Sequence, residues 1–206
     1  MFQKIDARIP LQGNVVAIPT DTVYGVATLA LDSMTVAKIY ALKKRPHDKP
    51  IPIFIRHLSD LVHVSPYISS VAQKILELYL PGKLTAILPA MPNLPDEVTA
   101  STSKGKTVAI RIPNHALVLK LLEIVGQPLA VTSANISGQI TPTTAEGVLN
   151  QFGDGRLVFV VDGGASHTYL PSTIIDLTQS PPKILRQGEL EIISKYFLIQ
   201  EGQMEK

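Results

Sequence analysis

Apolar residues in this chain fall into short, β-branched runs separated by polar turns. Residues 15–18, 23–29, 52–55, 85–88, 108–112, 129–132, 157–161 and 173–177 read as strands. Most of these runs are continuously apolar rather than alternating, which is the pattern of a sheet covered on both faces. Helical spacing appears between them. Ile68, Val71, Ala72, Ile75, Leu78 and Tyr79 predict a helix with Pro66 in its first turn behind Ser65 and a stop at Pro81-Gly82. Asn114 can cap a second helix that runs through Leu117, Leu121 and Leu122 to Gly126. Val36, Ile39, Tyr40 and Leu42 mark a third. Thr143 and Glu146 form a capping box for a fourth that ends near Phe152-Gly153, and Ile192, Ile193, Tyr196 and Phe197 predict a fifth.

Strands and helices therefore interleave from end to end, which predicts an α/β or mixed-sheet α+β class. Residues 89–106 hold three prolines and many small polar side chains and read as a mobile loop. No composition shift marks a second domain, so residues 1–206 read as one.

Composition narrows the function. The absence of cysteine excludes disulfides, thiolate zinc sites and thiol catalysis, and suits a reducing compartment. Lys4, Asp6 and Arg8 interrupt the first ten residues, so no secretory signal is visible. No apolar run approaches the roughly 18 residues needed to cross a bilayer, and the expectation is a soluble, cytoplasmic protein without a membrane partner. A net charge of only +2 leaves any RNA contact to local basic patches.

Several polar clusters stand at strand ends, where open sheets carry their ligands. The segment Ile18-Pro-Thr-Asp-Thr-Val-Tyr-Gly25 places hydroxyls and a carboxylate in a tight turn, either as ligand groups or as local partners of the turn backbone. In Lys43-Lys44-Arg45-Pro46-His47-Asp48-Lys49, four cations end a helix and enter a proline-bounded loop. The helix dipole accounts for charges in the last turn but not for Lys49, and a phosphate site accounts for all four. Ser133-Ala134-Asn135 follows an apolar strand. Arg111 lies inside the strand-like segment 108–112, where a charge is costly unless paired. Pro171-Ser172-Thr173 and Arg186-Gln187-Gly188 add polar groups at two more strand ends. No P-loop, no dinucleotide fingerprint and no zinc-ligand spacing among the five histidines is present. Residues alone thus indicate an α/β domain with an anion site, and name no reaction.

Seven motifs taken together resemble the YrdC-like family. They are Pro19-Thr-Asp-Thr-Val-Tyr-Gly25, Lys43-x-Arg45, Pro81-Gly82-x-x-Thr85, Ala109-Ile-Arg-Ile-Pro113, Ser133-x-Asn135 with Ser137-Gly138, Pro171-Ser-Thr-Ile-Ile-Asp176 and Arg186-x-Gly188. The resemblance runs from about residue 10 to 190. It implies a YrdC/RibB-like twisted mixed sheet with helices on both faces around a positively charged concave surface. It also implies L-threonylcarbamoyladenylate synthesis from L-threonine, bicarbonate and ATP with Mg2+, for modification of adenosine 37 in tRNAs reading codons that begin with A. By this resemblance Lys43, Arg45, Ser133, Asn135 and Arg186 surround ATP, with Lys43 and Arg45 catalytic. Thr22, Arg111 and Ser172 lie near the threonine, and no protein residue binds metal. Longer relatives carry a histidine where this chain has Phe54, and a second C-terminal domain; the short form is expected to work without it. The expected partners are a tRNA-modification transferase complex and tRNA. Two other readings remain open: a non-catalytic module that binds tRNA or rRNA, and the carbamoyl-handling domain of hydrogenase-maturation proteins.

Overall fold

The computed structural model describes residues 9–153, 155, 157, 159–166 and 168–192. Their strands are β1 (Val16–Ile18), β2 (Gly25–Leu29), β3 (Ile53–Phe54), β4 (Leu84–Pro89), β5 (Thr99–Thr102), β6 (Gly105–Arg111), β7 (Leu129–Ser133), β8 (Phe159–Val160), β9 (Thr173–Asp176) and β10 (Lys183–Arg186). They join in one mixed sheet in the order β10-β9-β4-β6-β3-β7-β2-β1-β8, and β5 pairs with the first half of β6. The parallel pairs are β1/β8, β3/β6 and β4/β9; the others are antiparallel.

Four helices cover the sheet: α1 (Ser33–Lys43), α2 (Ser70–Tyr79), α3 (Ala116–Val125) and α4 (Ala145–Phe152). Side-chain alternation along the strands divides the apolar residues into two clusters. Ala17, Val26, Ile53, Ala86, Ile110, Ala130 and Ile175 meet α1, α2 and α4 through Val36, Ile39, Ile75, Leu76, Val148 and Phe152. Val16, Ile18, Ala27, Phe54, Leu129 and Val131 point the other way, onto Val118, Leu121 and Leu122 of α3. One face is thus covered along its length by three helices. Among the described residues the opposite face has only α3, over the β1–β2–β7 side. Beyond it Ile87, Ala109 and Ile174 are only half-buried and line an open cavity.

All eight strands expected from the sequence form. Two expectations are corrected. Helix α2 starts at Ser70 with Ser69 as its cap, whose hydroxyl accepts from the Ala72 N–H at 3.2 Å, so Pro66 lies before the helix. Residues 89–106 hold a short 3-10 segment, Asp96–Val98, and the β5/β6 hairpin, where Thr99 pairs with Val108 and Thr102 with Gly105. Val98 and Leu94 are buried and tie this segment to the core, which corrects the expectation of a mobile loop. The caps of α3 and α4 are His115 and Thr144, each one residue after the expected cap. The expected fifth helix falls almost entirely on residues 193–206, outside the described residues, as do Lys4, Asp6, Arg8 and His167.

Ile110 is fully buried between β4 and β3 at the centre of the sheet. Ile110→Ala is expected to lower stability by about 2–5 kcal/mol. Ile140→Ala, at a side chain 85 % exposed, should change it by less than about 0.5 kcal/mol. Urea unfolding of both variants checks the placement of the core.

Candidate active site

The open half of the sheet carries a cavity of about 530 Å³, walled by Thr22, Arg45, Phe54, Thr85, Arg111, Ser133, Ser172 and Arg186 among others. Strands β2, β3, β4, β6, β7, β9 and β10 all reach it directly or through the turns at their ends.

Arg111 is the last residue of β6 and is almost fully buried, with 4 % of its surface exposed. Its Nη2 pairs with Asp21 Oδ1 at 2.8 Å, Nη1 donates to Thr22 Oγ1 at 3.2 Å and Nε to the Gly82 carbonyl at 3.1 Å. The guanidinium carbon lies 5.6 Å from the centre of the Phe54 ring. Burial pulls the Arg111 pKa below its ordinary value, and Asp21 opposes that pull. The Pro19–Gly25 turn therefore has two jobs. Thr20 serves the turn itself: its hydroxyl donates to the Val23 carbonyl at 2.7 Å and accepts from the Thr22 N–H at 3.1 Å. Asp21 and Thr22 serve Arg111.

The Lys43-x-Arg45 motif separates its two cations. Lys44 takes a left-handed conformation (φ 51°) at the end of α1, and the Arg45 N–H closes back on the Tyr40 carbonyl at 2.9 Å. Lys43 consequently turns inward and is 1 % exposed. Its ammonium donates to the Ser133 carbonyl, to the Asn135 carbonyl at 2.6 Å and to Asn135 Oδ1 at 3.2 Å. Burial first, and the Arg45 charge second, bring its pKa down to about 7. Arg45 turns toward the cavity and is held by the Lys49 and Pro50 carbonyls, at 2.7 and 3.1 Å.

Ser133 Oγ donates to Asn135 Oδ1 at 2.6 Å, and Asn135 Nδ2 donates to the Ile136 and Gln139 carbonyls. Asn135 is buried and belongs to the loop that Lys43 grips, whereas Ser133 reaches the cavity wall. On the far side the Ser172 and Thr85 hydroxyls share a hydrogen bond of 2.8 Å, and Arg186 Nη2 donates to the Ser172 carbonyl at 2.9 Å. The Arg186 pKa is lowered by burial, then by repulsion from Arg111 and Arg45. The Arg186 guanidinium thus feels the other two across one space.

Of the eight residues picked out in the sequence, six line this cavity: Thr22, Arg45, Arg111, Ser133, Ser172 and Arg186. Lys43 and Asn135 stand behind its wall. Lys49 is exposed and also lines it, next to Asp48. Sequence reasoning did not find Asp21 as the partner of Arg111, because the two are 90 positions apart. The cost of a charge in a strand was the available signal. Among the described residues no group of three or more His, Asp or Glu side chains could hold a metal ion, and no helix is long and apolar enough to cross a membrane.

Such a cluster of arginines and hydroxyls on the sheet face of an α/β domain suits an anionic ligand. Residues 9–188 match the Sua5/YciO/YrdC family, described as "Telomere recombination", and the chain belongs to this YrdC-like family. It is 39 % identical over 189 residues to the threonylcarbamoyl-AMP synthase of Pyrococcus abyssi, covering 92 % of this chain and 54 % of that protein. The chain thus spans about half the length of that relative. A putative threonylcarbamoyl-AMP synthase of Mycobacterium tuberculosis is 37 % identical, with 85 % of this chain and 79 % of that protein covered. The crystal structure of P. abyssi Sua5 complexed with L-threonine superposes with a TM-score of 0.85 at 38 % identity, over 92 % of this chain and 55 % of that one. The expected YrdC-like mixed sheet with helices on both faces is therefore the observed fold.

Gly188 lies across Pro171–Thr173, where a Cβ would come within 2.3 Å of the Pro171 carbonyl oxygen and 2.6 Å of the Thr173 nitrogen. Gly188→Ala should destabilise the protein by about 1–3 kcal/mol and displace Ser172 and Arg186 from the cavity wall. Thermal unfolding checks the first effect, and the NMR signals of the Arg186 side chain check the second.

Proposed function

We propose that this chain is an L-threonylcarbamoyladenylate synthase, converting L-threonine, bicarbonate and MgATP to threonylcarbamoyl-AMP and pyrophosphate. The observation that carries this reading is the convergence of Arg45, Arg111 and Arg186, from three distant segments, on one cavity edged by hydroxyls. All the substrates are anionic or become so, and their mutual repulsion is the barrier that a fixed cationic cluster removes.

In this reading the threonine amine attacks CO2 derived from bicarbonate and loses a proton, giving a carbamate. A carbamate oxygen then forms a bond to the α-phosphorus of ATP while the bond to the bridging oxygen breaks, and pyrophosphate leaves with that electron pair. Mg2+ arrives with the nucleotide as part of the substrate. Arg111, held flat between Asp21, Thr22 and Phe54, has N–H groups left over for the threonine carboxylate, with Thr22 and Ser172 beside it. Arg45 and Arg186 face the phosphates, and Ser133 the nucleotide. Lys43 acts through Asn135 and Ser133: its three donors fix the loop that carries them, so it is a positioning residue whose charge also adds to the field. Positioning and electrostatics supply the rate, as in other transfers at phosphorus. The single YrdC-like domain would carry the whole reaction, in the cytoplasm. Its product would pass to a tRNA-modification transferase complex for adenosine 37, with tRNA as a further binding partner.

Pyrophosphate release from MgATP is expected only when L-threonine and bicarbonate are both present, with a threonylcarbamoyl-AMP mass in the products. Salt-sensitive RNA binding without such release would instead identify a binding module. Arg45→Ala and Lys43→Ala should each lose at least about 100-fold in turnover while unfolding cooperatively; near-normal turnover in either overturns its assigned role.

A further inference from the structure

A second cavity of about 640 Å³ lies against the turn that supplies the partner of Arg111, within the usual volume range of small-ligand sites. Its walls include Asp21, Tyr79, Pro81, His115, Ser166 and Leu190, none of which lines the first cavity. Among the described residues three buried side-chain atoms lack a hydrogen-bond partner: Asp21 Oδ2, His115 Nδ1 and Ser166 Oγ. All three belong to this cavity. Buried polar atoms are normally satisfied, so three in one place call for a ligand group. The Asp21 side chain is 7 % exposed, and its other oxygen is already engaged by Arg111.

What these atoms offer is acceptance. Asp21 Oδ2 is a carboxylate oxygen, and the Ser166 hydroxyl has free lone pairs. Burial lowers the His115 pKa against the pull of Asp21, so the neutral ring can present Nδ1 as an acceptor. Three backbone donors beside it are already used: the N–H groups of Gly163, Gly164 and Ser166 bond to the Tyr24 hydroxyl, Asp162 Oδ1 and the Thr143 carbonyl. The Lys83 ammonium on the rim is paired with Glu189. An anion placed here would be repelled by the unpaired Asp21 carboxylate oxygen.

We infer that this cavity binds a small primary ammonium compound, whose three N–H groups match the three open acceptors and whose carbon chain lies along Pro81 and Leu190. Ligand and Arg111 then share one carboxylate from opposite sides, so occupancy is felt at the guanidinium in the first cavity. The inference stands on the unpaired acceptors and does not depend on the proposed synthase reaction.

Ethanolamine titrated into the 15N-labelled full chain tests it, with ethylene glycol as the uncharged counterpart. Ethanolamine should give saturable shifts at Asp21, His115, the 163–166 amides and the Arg111 Nε–H, and ethylene glycol should give none. Ser166→Ala and His115→Phe should each weaken ethanolamine binding at least about threefold. Equal shifts with ethylene glycol would mark a hydration pocket and overturn the inference. So would ethanolamine shifts confined to exposed carboxylates, or none at all. Each outcome is read without turnover, so a failed ammonium site and a failed synthase reading are told apart.

Discussion

The buried pair between Asp21 and Arg111 is the constraint around which the site is organised. An arginine at the end of a central strand, with almost no exposed surface, is tolerable only because a carboxylate, a hydroxyl and a carbonyl meet it. Removing one partner of such a pair leaves a buried charge uncompensated, at a cost of about 3–5 kcal/mol. The pair is weak support for stability in itself, since apolar residues of similar volume would often do as well. What it provides is a guanidinium fixed in orientation at a cavity wall. The Pro19–Gly25 turn, Gly82 and Phe54 are each placed where they hold that group.

The rest of the site repeats this logic of charges held by backbone oxygens. Lys43 is fixed by two carbonyls and an amide oxygen, Arg45 by the carbonyls of Lys49 and Pro50, and Arg186 by the carbonyl of Ser172. Such contacts orient Arg45 and Arg186 without neutralising them, so both guanidiniums bring their charge to the cavity wall. The described residues make this possible by leaving part of one sheet face uncovered. Among the described residues three helices cover the opposite face, and α3 alone packs on this one, beside the cavity. The second cavity lies against the carboxylate that holds Arg111.

Much of this was legible in the chain. The eight strands show as β-branched runs because they are buried on one or both faces. The hairpin strand β5 did not, because Thr-Ala-Ser-Thr is short, polar and buried at only one end, and its structure comes from pairing with β6. Pro66 misled because a proline after Ser65 imitates a helix start, whereas Ser65 in fact donates to the Tyr67 carbonyl and the helix waits for Ser69. Motif order indicated which residues gather, and six of the eight do line one cavity. It could not indicate that Lys43 faces inward and Arg45 outward. That depends on the left-handed turn at Lys44, which nothing in the residue type demands. Nor could it pair Asp21 with Arg111, since that contact exists only once β6 lies beside the turn after β1.

In the proposed function Arg111, oriented by Asp21, presents its free N–H groups to the carboxylate of L-threonine. The most direct test is calorimetric titration of L-threonine into the wild-type chain and into Arg111→Lys, which keeps the charge but loses the planar fork. Measurable binding to the wild type is expected, with an affinity at least about tenfold weaker in the variant, a difference of about 1.4 kcal/mol, and cooperative unfolding retained. Equal affinity in the two proteins would contradict it.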